Sequence, residues 1–283
     1  MRLFLNLFKL RIGVAIALAA AAGLAVQHGP GIGAGAATVL VLAVLAASAA
    51  AGAFNQYVER DIDRRMARTR NRPFVTGELR HGPFWLWVIG AMLAASVLAA
   101  ALASNVFAAA YVFLGAFTYG VVYTVWLKRR TRWNIVVGGL AGSFAVLAGA
   151  AAASPEPSPA ALWLAVVLFL WTPPHFWSLA IACRDDYAAA GVPMLPVVVG
   201  DSAAARAILL SAALLVAASI APFFFGLGAA YLASAAAGGA FFLVRCARLV
   251  REPSRERARA AFHASLAQLC AVLFGAMLDV ALT

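Results

Sequence analysis

The chain has 283 residues, of which 64% are hydrophobic and only 12% are charged, and its mean hydropathy is +0.90. A soluble domain carries about a quarter charged residues, so this composition excludes a soluble globular protein and predicts an integral membrane protein. The net charge of +11 would favour a nucleic-acid partner in a soluble chain.

Apolar runs of about 20 residues recur along the chain, and a helix of that length crosses the bilayer core. Strands of a membrane barrel are shorter and alternate in polarity, so they do not account for these runs. Because lipid-exposed backbone must satisfy its own hydrogen bonds, each span is predicted to be helical. We therefore predict an all-α, polytopic membrane protein with a single domain over residues 1–283. Its nine spans are predicted near 12–27, 34–57, 83–102, 106–126, 135–153, 160–182, 203–224, 227–247 and 260–282.

The connections between the predicted spans alternate in charge. All 22 lysines and arginines precede the first span or lie in or beside the even-numbered connections, and the short odd-numbered connections carry none. Basic loops remain on the cytoplasmic side of a membrane, which predicts a cytoplasmic N-terminus and an external C-terminus. Topology explains the basic charge, so no nucleic-acid partner is expected. The three cysteines stand too far apart for a metal or disulfide pattern.

The strongest local motif is Asn55-Gln-Tyr-Val-Glu59-Arg-Asp61-Ile-Asp63, at the end of the second span. Asn55, Glu59 and Asp63 are four residues apart, so they share one face if the helix continues. Three oxygen ligands on one face suit Mg²⁺, which binds carboxylates together with substrate phosphates. The alternative is a solvated helix end whose acids pair with neighbouring arginines, and these residues alone leave both interpretations open.

Arginines follow this motif directly, and among them Arg64, Arg68 and Arg72 are spaced four apart. Guanidinium groups bind phosphate oxygens through paired hydrogen bonds. Anionic lipid headgroups are the alternative partner, but a lipid anchor would not need the adjacent acids. The mixture therefore favours a Mg²⁺–diphosphate site, which Lys128 and Arg129 of the fourth connection can close from the opposite side.

The sixth span contains Trp171-Thr-Pro-Pro-His175-Phe-Trp177. Its two prolines predict a break or kink in the helix, and irregular backbone within a membrane is tolerated where it lines a cavity. An ionisable group at that depth, here His175, indicates function, with a hydrogen-bonded packing histidine as the alternative. Asp185 and Asp186, just beyond this span, are candidates for opposing Mg²⁺ ligands.

Together these motifs resemble the UbiA superfamily of intramembrane prenyltransferases. The superfamily pattern of an Asn and two acids four apart, followed by Arg-Thr-x-Asn-Arg-Pro, is present as Asn55, Glu59, Asp63 and residues 68–73. The segment 171–177 and the later Asp-Tyr…Ala-Gly-Val-Pro-Met-Leu-Pro stretch over 186–196 are similar to the branch that farnesylates haem. The resemblance covers about residues 9–280.

The resemblance implies a helical bundle around a central cavity, Mg²⁺ as cofactor, farnesyl diphosphate and haem B as substrates, and haem O as product. It implies a bacterial inner-membrane location with the active site toward the cytoplasm, and a haem A synthase or terminal oxidase as downstream partner. Implied metal ligands are Asn55, Glu59, Asp63, Asp185 and Asp186. Implied diphosphate ligands are Arg64, Arg68, Arg72, Lys128 and Arg129. The implied catalytic set is Asn55, Glu59, Asp63, Asp186, Lys128 and Arg129. Haem contacts are assigned to His175, Trp177 and Tyr123.

Four features depart from the family pattern. Glu59 stands where Asp is usual, and its longer carboxylate can still bind Mg²⁺. Leu10 replaces the proline of a Lys-Pro-Arg motif at the first span. Ala145-Val146 occupies the place of a common Pro-Pro pair, which predicts a straighter fifth span. The second acidic motif is Arg-Asp-Asp-Tyr and lacks the Asp-x-x-x-Asp of other branches.

Two other functions fit parts of the sequence. A prenyltransferase acting on a quinone precursor would use the same diphosphate motif, although the segment 171–177 favours haem. A transporter would carry its polar residues near the middle of the membrane, whereas here they gather at the predicted cytoplasmic edge. We therefore predict prenyl transfer to haem.

Overall fold

The computed structural model describes residues 2–27, 29 and 31–283, so Met1, His28 and Pro30 lie outside the described residues. Every regular element in that part of the chain is helical, which confirms the predicted all-α fold. The α-helices are α1 Arg2–Leu7, α2 Leu10–Ala25, α3 Ala34–Val58, α4 Arg60–Arg65, α5 Pro73–Thr76, α6 Pro83–Ala103, α7 Val106–Phe117, α8 Asn134–Gly138, α9 Leu140–Ala153, α10 Pro159–Ala182, α11 Arg184–Ala189, α12 Leu195–Val199, α13 Asp201–Ala218, α14 Ala229–Arg251 and α15 Arg255–Leu282. A π-helix, Thr118–Leu127, continues α7, and a 3₁₀-helix, Ala221–Phe225, follows α13.

Eight helical segments among the described residues are long and apolar enough to cross a membrane, and they match the second to ninth predicted spans. The helix at the first predicted span, α2, has 16 residues, which is short of the roughly 20 that a bilayer core requires. The count of nine spans and the orientation in the membrane therefore remain predictions. The last helix begins at Arg255, earlier than predicted, because the hydroxyl of Ser254 accepts a hydrogen bond from the Arg257 amide and caps it.

Glycines bring α2 and α9 into close contact near the centre of the bundle. A Cβ atom on Gly149 would lie 1.8 Å from the Ala20 carbonyl oxygen, and one on Gly23 would lie 2.1 Å from the Val146 oxygen. Only residues without a side chain permit this approach of two helix backbones. Helix α9 also packs on α7 and α10, and α10 in turn packs on α13 and α15, so α9 and α10 join the two halves of the bundle.

Helix α10, which contains two prolines, and helix α9, which has Ala145-Val146 in place of a Pro-Pro pair, are both uninterrupted. Pro173 and Pro174 lie inside α10, which continues to Ala182, so the helix is not broken there and only the predicted kink stays a prediction. Packing of α10 against α9, α13 and α15 holds the helix together despite the missing proline donors. Helix α9 runs without interruption through Ala145 and Val146, and the fifth span is interrupted instead at Gly139.

The connections meet at two chemically different ends of the bundle. At the charged end, the N-terminal segment and the second, fourth, sixth and eighth connections exchange hydrogen bonds and ion pairs. At the opposite end the contacts are mostly neutral, such as the hydrogen bond from the Gln27 side chain to the Glu156 carbonyl. The predicted functional acids and arginines of the connections are therefore gathered at one end.

Asp279 lies away from the charged end and caps a helix. Its carboxylate accepts hydrogen bonds from the Gly228 amide at 2.5 Å and the Tyr231 amide at 3.2 Å, at the start of α14. These amides have no partner within the helix, and a negative charge is favoured there.

We expect Asp279→Ala to lower the free energy of unfolding by about 1–2 kcal/mol, measured by thermal melting in detergent. Glu156→Ala, which removes an exposed carboxylate at the same end, should leave the melting temperature unchanged; equal melting of both variants would contradict the capping role.

Candidate active site

Asn55, Glu59 and Asp63 lie on one continuous helical face, as the sequence predicts. Helix α3 ends at Val58 and α4 begins at Arg60, but the hydrogen bonds Glu59 N to Asn55 O, 3.0 Å, and Asp63 N to Glu59 O, 2.8 Å, preserve the register across the junction. All three side chains are at most 2% exposed. Buried carboxylates need partners, and these partners come from elsewhere in the chain.

Each of the three side chains contacts a cation from a different segment. The Lys9 ammonium donates to Asn55 Oδ1 at 2.5 Å. The Lys128 ammonium lies 2.6 Å from both carboxylate oxygens of Glu59 and donates to Oε2. A guanidinium nitrogen of Arg72 lies 2.6 Å from Asp63 Oδ2. We call these six residues the acid–cation cluster.

The electrostatics of the acid–cation cluster favour an added anion. Its three cations face two carboxylates, so one positive charge is in excess. Burial, reinforced by the positive charge of Arg72, lowers the pKa of Lys9 well below its ordinary value. Burial also raises the pKa of Asp63, and the adjacent Arg72 offsets this only in part. Both shifts express the cost of holding charge out of water, and an incoming polyanion would relieve the repulsion among the cations.

Lys9 is the one member of the acid–cation cluster that the sequence analysis did not place in the site. Its ammonium also donates to the Tyr119 hydroxyl at 3.1 Å, and its backbone has φ 47°, a left-handed conformation. Non-glycine residues seldom adopt this conformation, and here it separates α1 from α2. The signal that could have identified Lys9 is its place in the Lys-Leu-Arg triplet before the first span.

The donor set of this cluster suits a hard divalent cation. An amide and two carboxylates are oxygen ligands of the kind Mg²⁺ prefers, and all three side chains lie on one helical face at most 2% exposed. No group of three or more His, Cys, Asp or Glu side chains close enough to hold a metal occurs among residues 2–27, 29 and 31–283. The amide of Asn55 is therefore needed to complete a protein ligand set here.

Asp185 and Asp186 have other contacts in this structure. Asp186 accepts hydrogen bonds from the backbone amides of Ala67 and Arg68, at 3.0 and 3.3 Å, and thereby ties the sixth connection to the second. Asp185 is 75% exposed and pairs with Arg255. Metal ligation by these two residues stays a prediction.

Some of the predicted diphosphate-binding residues belong to the acid–cation cluster, and others lie at the surface around it. Arg72 and Lys128 belong to the acid–cation cluster, whereas Arg64 is exposed. Arg68 donates to the Tyr187 hydroxyl at 3.2 Å. Arg129 holds Asp61 through two hydrogen bonds of 2.8 and 3.0 Å at the surface. Although burial acts to raise it, the pKa of Asp61 is lowered by these bonds and by the charge of Arg129.

The π-helix positions one wall of the site. Lys128 N donates to Tyr123 O at 2.9 Å, five residues back, and the Thr124 hydroxyl accepts from the Asn55 amide at 3.1 Å. The Tyr119 and Tyr123 rings stack at 5.6 Å, and the Lys128 ammonium lies 5.7 Å from the Tyr123 ring centre. Such π-helical turns are frequent at functional sites, and the sequence carried no signal for this one.

A partly open apolar cavity begins at Lys9 and Tyr119 and extends between α2, α3, α7 and α9. Its wall is mainly aliphatic and includes Ile16, Val112 and Ala148. The acid–cation cluster thus stands at the polar end of an apolar chamber. This arrangement accommodates a ligand with an anionic head and a hydrocarbon tail.

A second, more open depression with both charged and apolar residues lies between the end of α10 and the start of α15, and we call it the α10–α15 groove. It includes Arg68, Arg259, Phe262 and His263. His175 does not line either cavity, because its ring is stacked between Trp171 and Phe262.

His175, Trp177 and Tyr123 are all buried within the bundle. The Nδ1 atom of His175 lies 2.7 Å from the Ser265 hydroxyl, as expected of a hydrogen-bonded packing histidine. The indole N–H of Trp177 has no partner in the described structure. Contact of these residues with haem stays a prediction.

Comparison with known proteins agrees with this architecture. The model of the UbiA prenyltransferase family matches residues 15–270. Protoheme IX farnesyltransferase 2 of Paramagnetospirillum magneticum is 56% identical over 229 residues, covering 81% of this chain and 80% of that protein. Protoheme IX farnesyltransferase 1 of the same organism is 45% identical, covering 81% of each.

Two solved structures share the fold at low sequence identity. A digeranylgeranylglyceryl phosphate synthase superposes with a TM-score of 0.80 at 17% identity, covering 100% of this chain and 99% of that one. A UbiA homolog from Archaeoglobus fulgidus superposes with a TM-score of 0.74 at 16% identity, covering 95% and 98%. The family match over most of the chain, supported by this common fold, shows that the chain belongs to the UbiA prenyltransferase family.

Proposed function

We propose that this protein transfers the farnesyl group of farnesyl diphosphate to a vinyl group of haem B, giving haem O. The observation that carries the choice of acceptor is the 56% identity, over four-fifths of both chains, to a protein named Protoheme IX farnesyltransferase 2. The chemistry of transfer is supported separately, by the acid–cation cluster at the mouth of the apolar cavity.

The cluster supports binding of the diphosphate. Lys9, Arg72 and Lys128 are cations whose present partners are oxygens of Asn55, Asp63 and Glu59. We propose that they turn toward the phosphate oxygens when the substrate enters, and that Arg68 and Arg64 add charge from the rim. Donors held ready for a departing diphosphate lower the barrier to C–O cleavage.

Asn55, Glu59 and Asp63 are the proposed ligands of a divalent metal, and Asp186 is a further candidate. A UbiA homolog from Archaeoglobus fulgidus was solved bound to DMAPP and Mg²⁺, which favours magnesium. When bound, the ion would neutralise charge on the leaving diphosphate. Helical register, which holds the three side chains on one face, prepares the site before the metal arrives.

The apolar cavity supports the remaining steps. With the diphosphate at Lys9, the farnesyl chain extends between α2, α3, α7 and α9, along a mainly aliphatic wall that disfavours water. Cleavage of the C1–O bond gives an allylic cation, and the haem vinyl group forms the new carbon–carbon bond to C1. The resulting cation takes a water molecule and releases a proton, which leaves a hydroxyl group. Exclusion of water protects the first cation from premature quenching.

The finer points of location also remain proposals. We propose a bacterial inner membrane, with the charged end of the bundle toward the cytoplasm, because the basic connections gather there. The product would then be available to a haem A synthase or a terminal oxidase in the same membrane.

The direct test is chromatography with mass spectrometry of haem extracted from bacterial membranes that lack their own haem farnesyltransferase. We expect a new hydrophobic haem, heavier by one hydroxyethylfarnesyl modification, only when this protein is present. If the protein is in the membrane and no such haem forms, the acceptor is another molecule, and extracted quinone precursors should then be screened for a farnesyl group.

A further inference from the structure

The α10–α15 groove has a cationic wall formed by one face of α15. Arg255, Arg259 and His263 are four residues apart, so they share that face, and all three border the groove and are exposed. Arg68, on the opposite rim, adds a fourth basic side chain.

The acids of the groove do not neutralise all of this charge. Asp185 is paired with Arg255, and both oxygens of Asp186 are bound to the amides of Ala67 and Arg68. Neither Arg259 nor His263 forms a hydrogen bond or ion pair within the described part of the chain. The groove therefore presents basic groups that are available to an anionic ligand.

The rest of the groove is apolar and firmly supported. Leu179 and Ala182 of α10 face Phe262 of α15. The Phe262 ring stacks on His175 with centroids 4.5 Å apart, and His175 stacks on Trp171 at 4.0 Å. This aromatic stack fixes Phe262 as a wall against which a flat apolar ligand can pack.

Arg68 connects this groove to the acid–cation cluster. It borders the groove, and it belongs to the same connection as Asp63 and Arg72. The Thr69 hydroxyl donates to the Asp63 carbonyl at 3.1 Å, which holds the turn that carries Arg68 beside the cluster. A ligand in the groove would therefore lie next to a diphosphate bound at the cluster.

We propose that the α10–α15 groove binds the acceptor by its carboxylate edge, with Arg259 as the principal carboxylate partner and Phe262 beneath the macrocycle. This inference rests on the proposed function, because haem B combines a flat apolar ring with two carboxylates on one side. A lipid headgroup would use the same cations, but it would not require the apolar wall or the proximity to the diphosphate site.

The test compares Arg259→Gln with Arg251→Gln, which removes an exposed arginine from the end of α14, outside the groove. Each full-length protein is placed in phosphatidylcholine nanodiscs and assayed with farnesyl diphosphate and either haem B or its dimethyl ester. We expect Arg259→Gln to raise the KM for haem B about tenfold, the size expected for a lost charge-assisted contact. The KM for farnesyl diphosphate should not change, Arg259→Lys should recover most of the affinity, and the dimethyl ester should not distinguish the variants.

An unchanged KM for haem B in Arg259→Gln would overturn the proposal, as would an effect seen only in nanodiscs containing phosphatidylglycerol, which would identify a lipid headgroup as the ligand. Optical titration with haem B separates this proposal from the proposed function. If the wild-type protein forms no farnesylated haem yet binds haem B more tightly than Arg259→Gln does, the groove is supported and the proposed reaction fails. Equal binding by both proteins would refute the groove.

Discussion

Asp63→Ala is expected to reduce farnesyl transfer by at least about 100-fold while leaving membrane insertion intact. The substitution removes a proposed metal ligand and also frees Arg72, whose guanidinium lies 2.6 Å from the Asp63 carboxylate. Loss of one group that stabilises charge in a transition state costs about 10²–10³ in rate. The measurement is farnesylated haem per amount of membrane protein, determined by mass spectrometry.

Asp61→Ala is the matched control for this prediction. Asp61 is two residues away and is also paired with an arginine, but its side chain is 58% exposed. Exposed ion pairs contribute little to stability, so the activity of Asp61→Ala should remain within about threefold of the wild type.

Asp63→Asn, which keeps the size of the side chain, should remain folded and require more Mg²⁺ for its residual activity. Normal turnover by either Asp63 variant would refute the metal site.

Gly149→Ala is expected to have the largest effect on stability, at about 3 kcal/mol or more of unfolding free energy. The added methyl group would lie 1.8 Å from the Ala20 carbonyl oxygen and 2.8 Å from its carbonyl carbon. Both are backbone atoms of α2, so no side-chain rotation relieves the contact, and the two helices must move apart. Thermal melting of the detergent-solubilised protein and the yield of monodisperse protein measure the effect.

Gly142→Ala provides the control on the same helix. A Cβ atom there would meet Leu168 side-chain atoms at 3.7 and 3.8 Å, which is ordinary van der Waals contact. We expect its melting temperature to stay close to that of the wild type, or to rise slightly because alanine favours helix. If the two alanine variants melt alike, the close approach of α2 and α9 is not essential to the fold.

The predicted spans and the Asn55 motif were recoverable from sequence because both depend on local periodicity. A run of about 20 apolar residues has few alternatives to a helix in lipid, and the spacing of Asn55, Glu59 and Asp63 requires only that the helix continue. The sequence also identified Lys128 and Arg72 as basic residues near the site. It did not identify their partners, because pairing depends on which connections meet in space.

Other features of the structure could not be predicted from local sequence patterns. The continuity of α10 through Pro173 and Pro174 depends on neighbouring helices, since propensity alone predicts a break. The π-helix that aligns Tyr119, Tyr123 and Lys128 has no compositional signature in this sequence. Metal ligation by Asp186 stays a prediction, and the hydrogen bonds that its carboxylate accepts from the amides of residues 67 and 68 were not predictable from local sequence.

The sequence by itself determined that the chain is helical, lies in a membrane and carries its acids and arginines in alternate connections, because hydrophobicity and charge act residue by residue. Only the tertiary structure decided which of those charges share a site. Burial at the charged end makes each carboxylate of the acid–cation cluster depend on a cation, Lys128 of a distant connection for Glu59 and Arg72 of the same connection for Asp63, since charge removed from water must find a partner. The same packing brought Lys9 into the cluster, left Arg259 available in the groove, and enclosed the apolar cavity between helices that are distant in sequence.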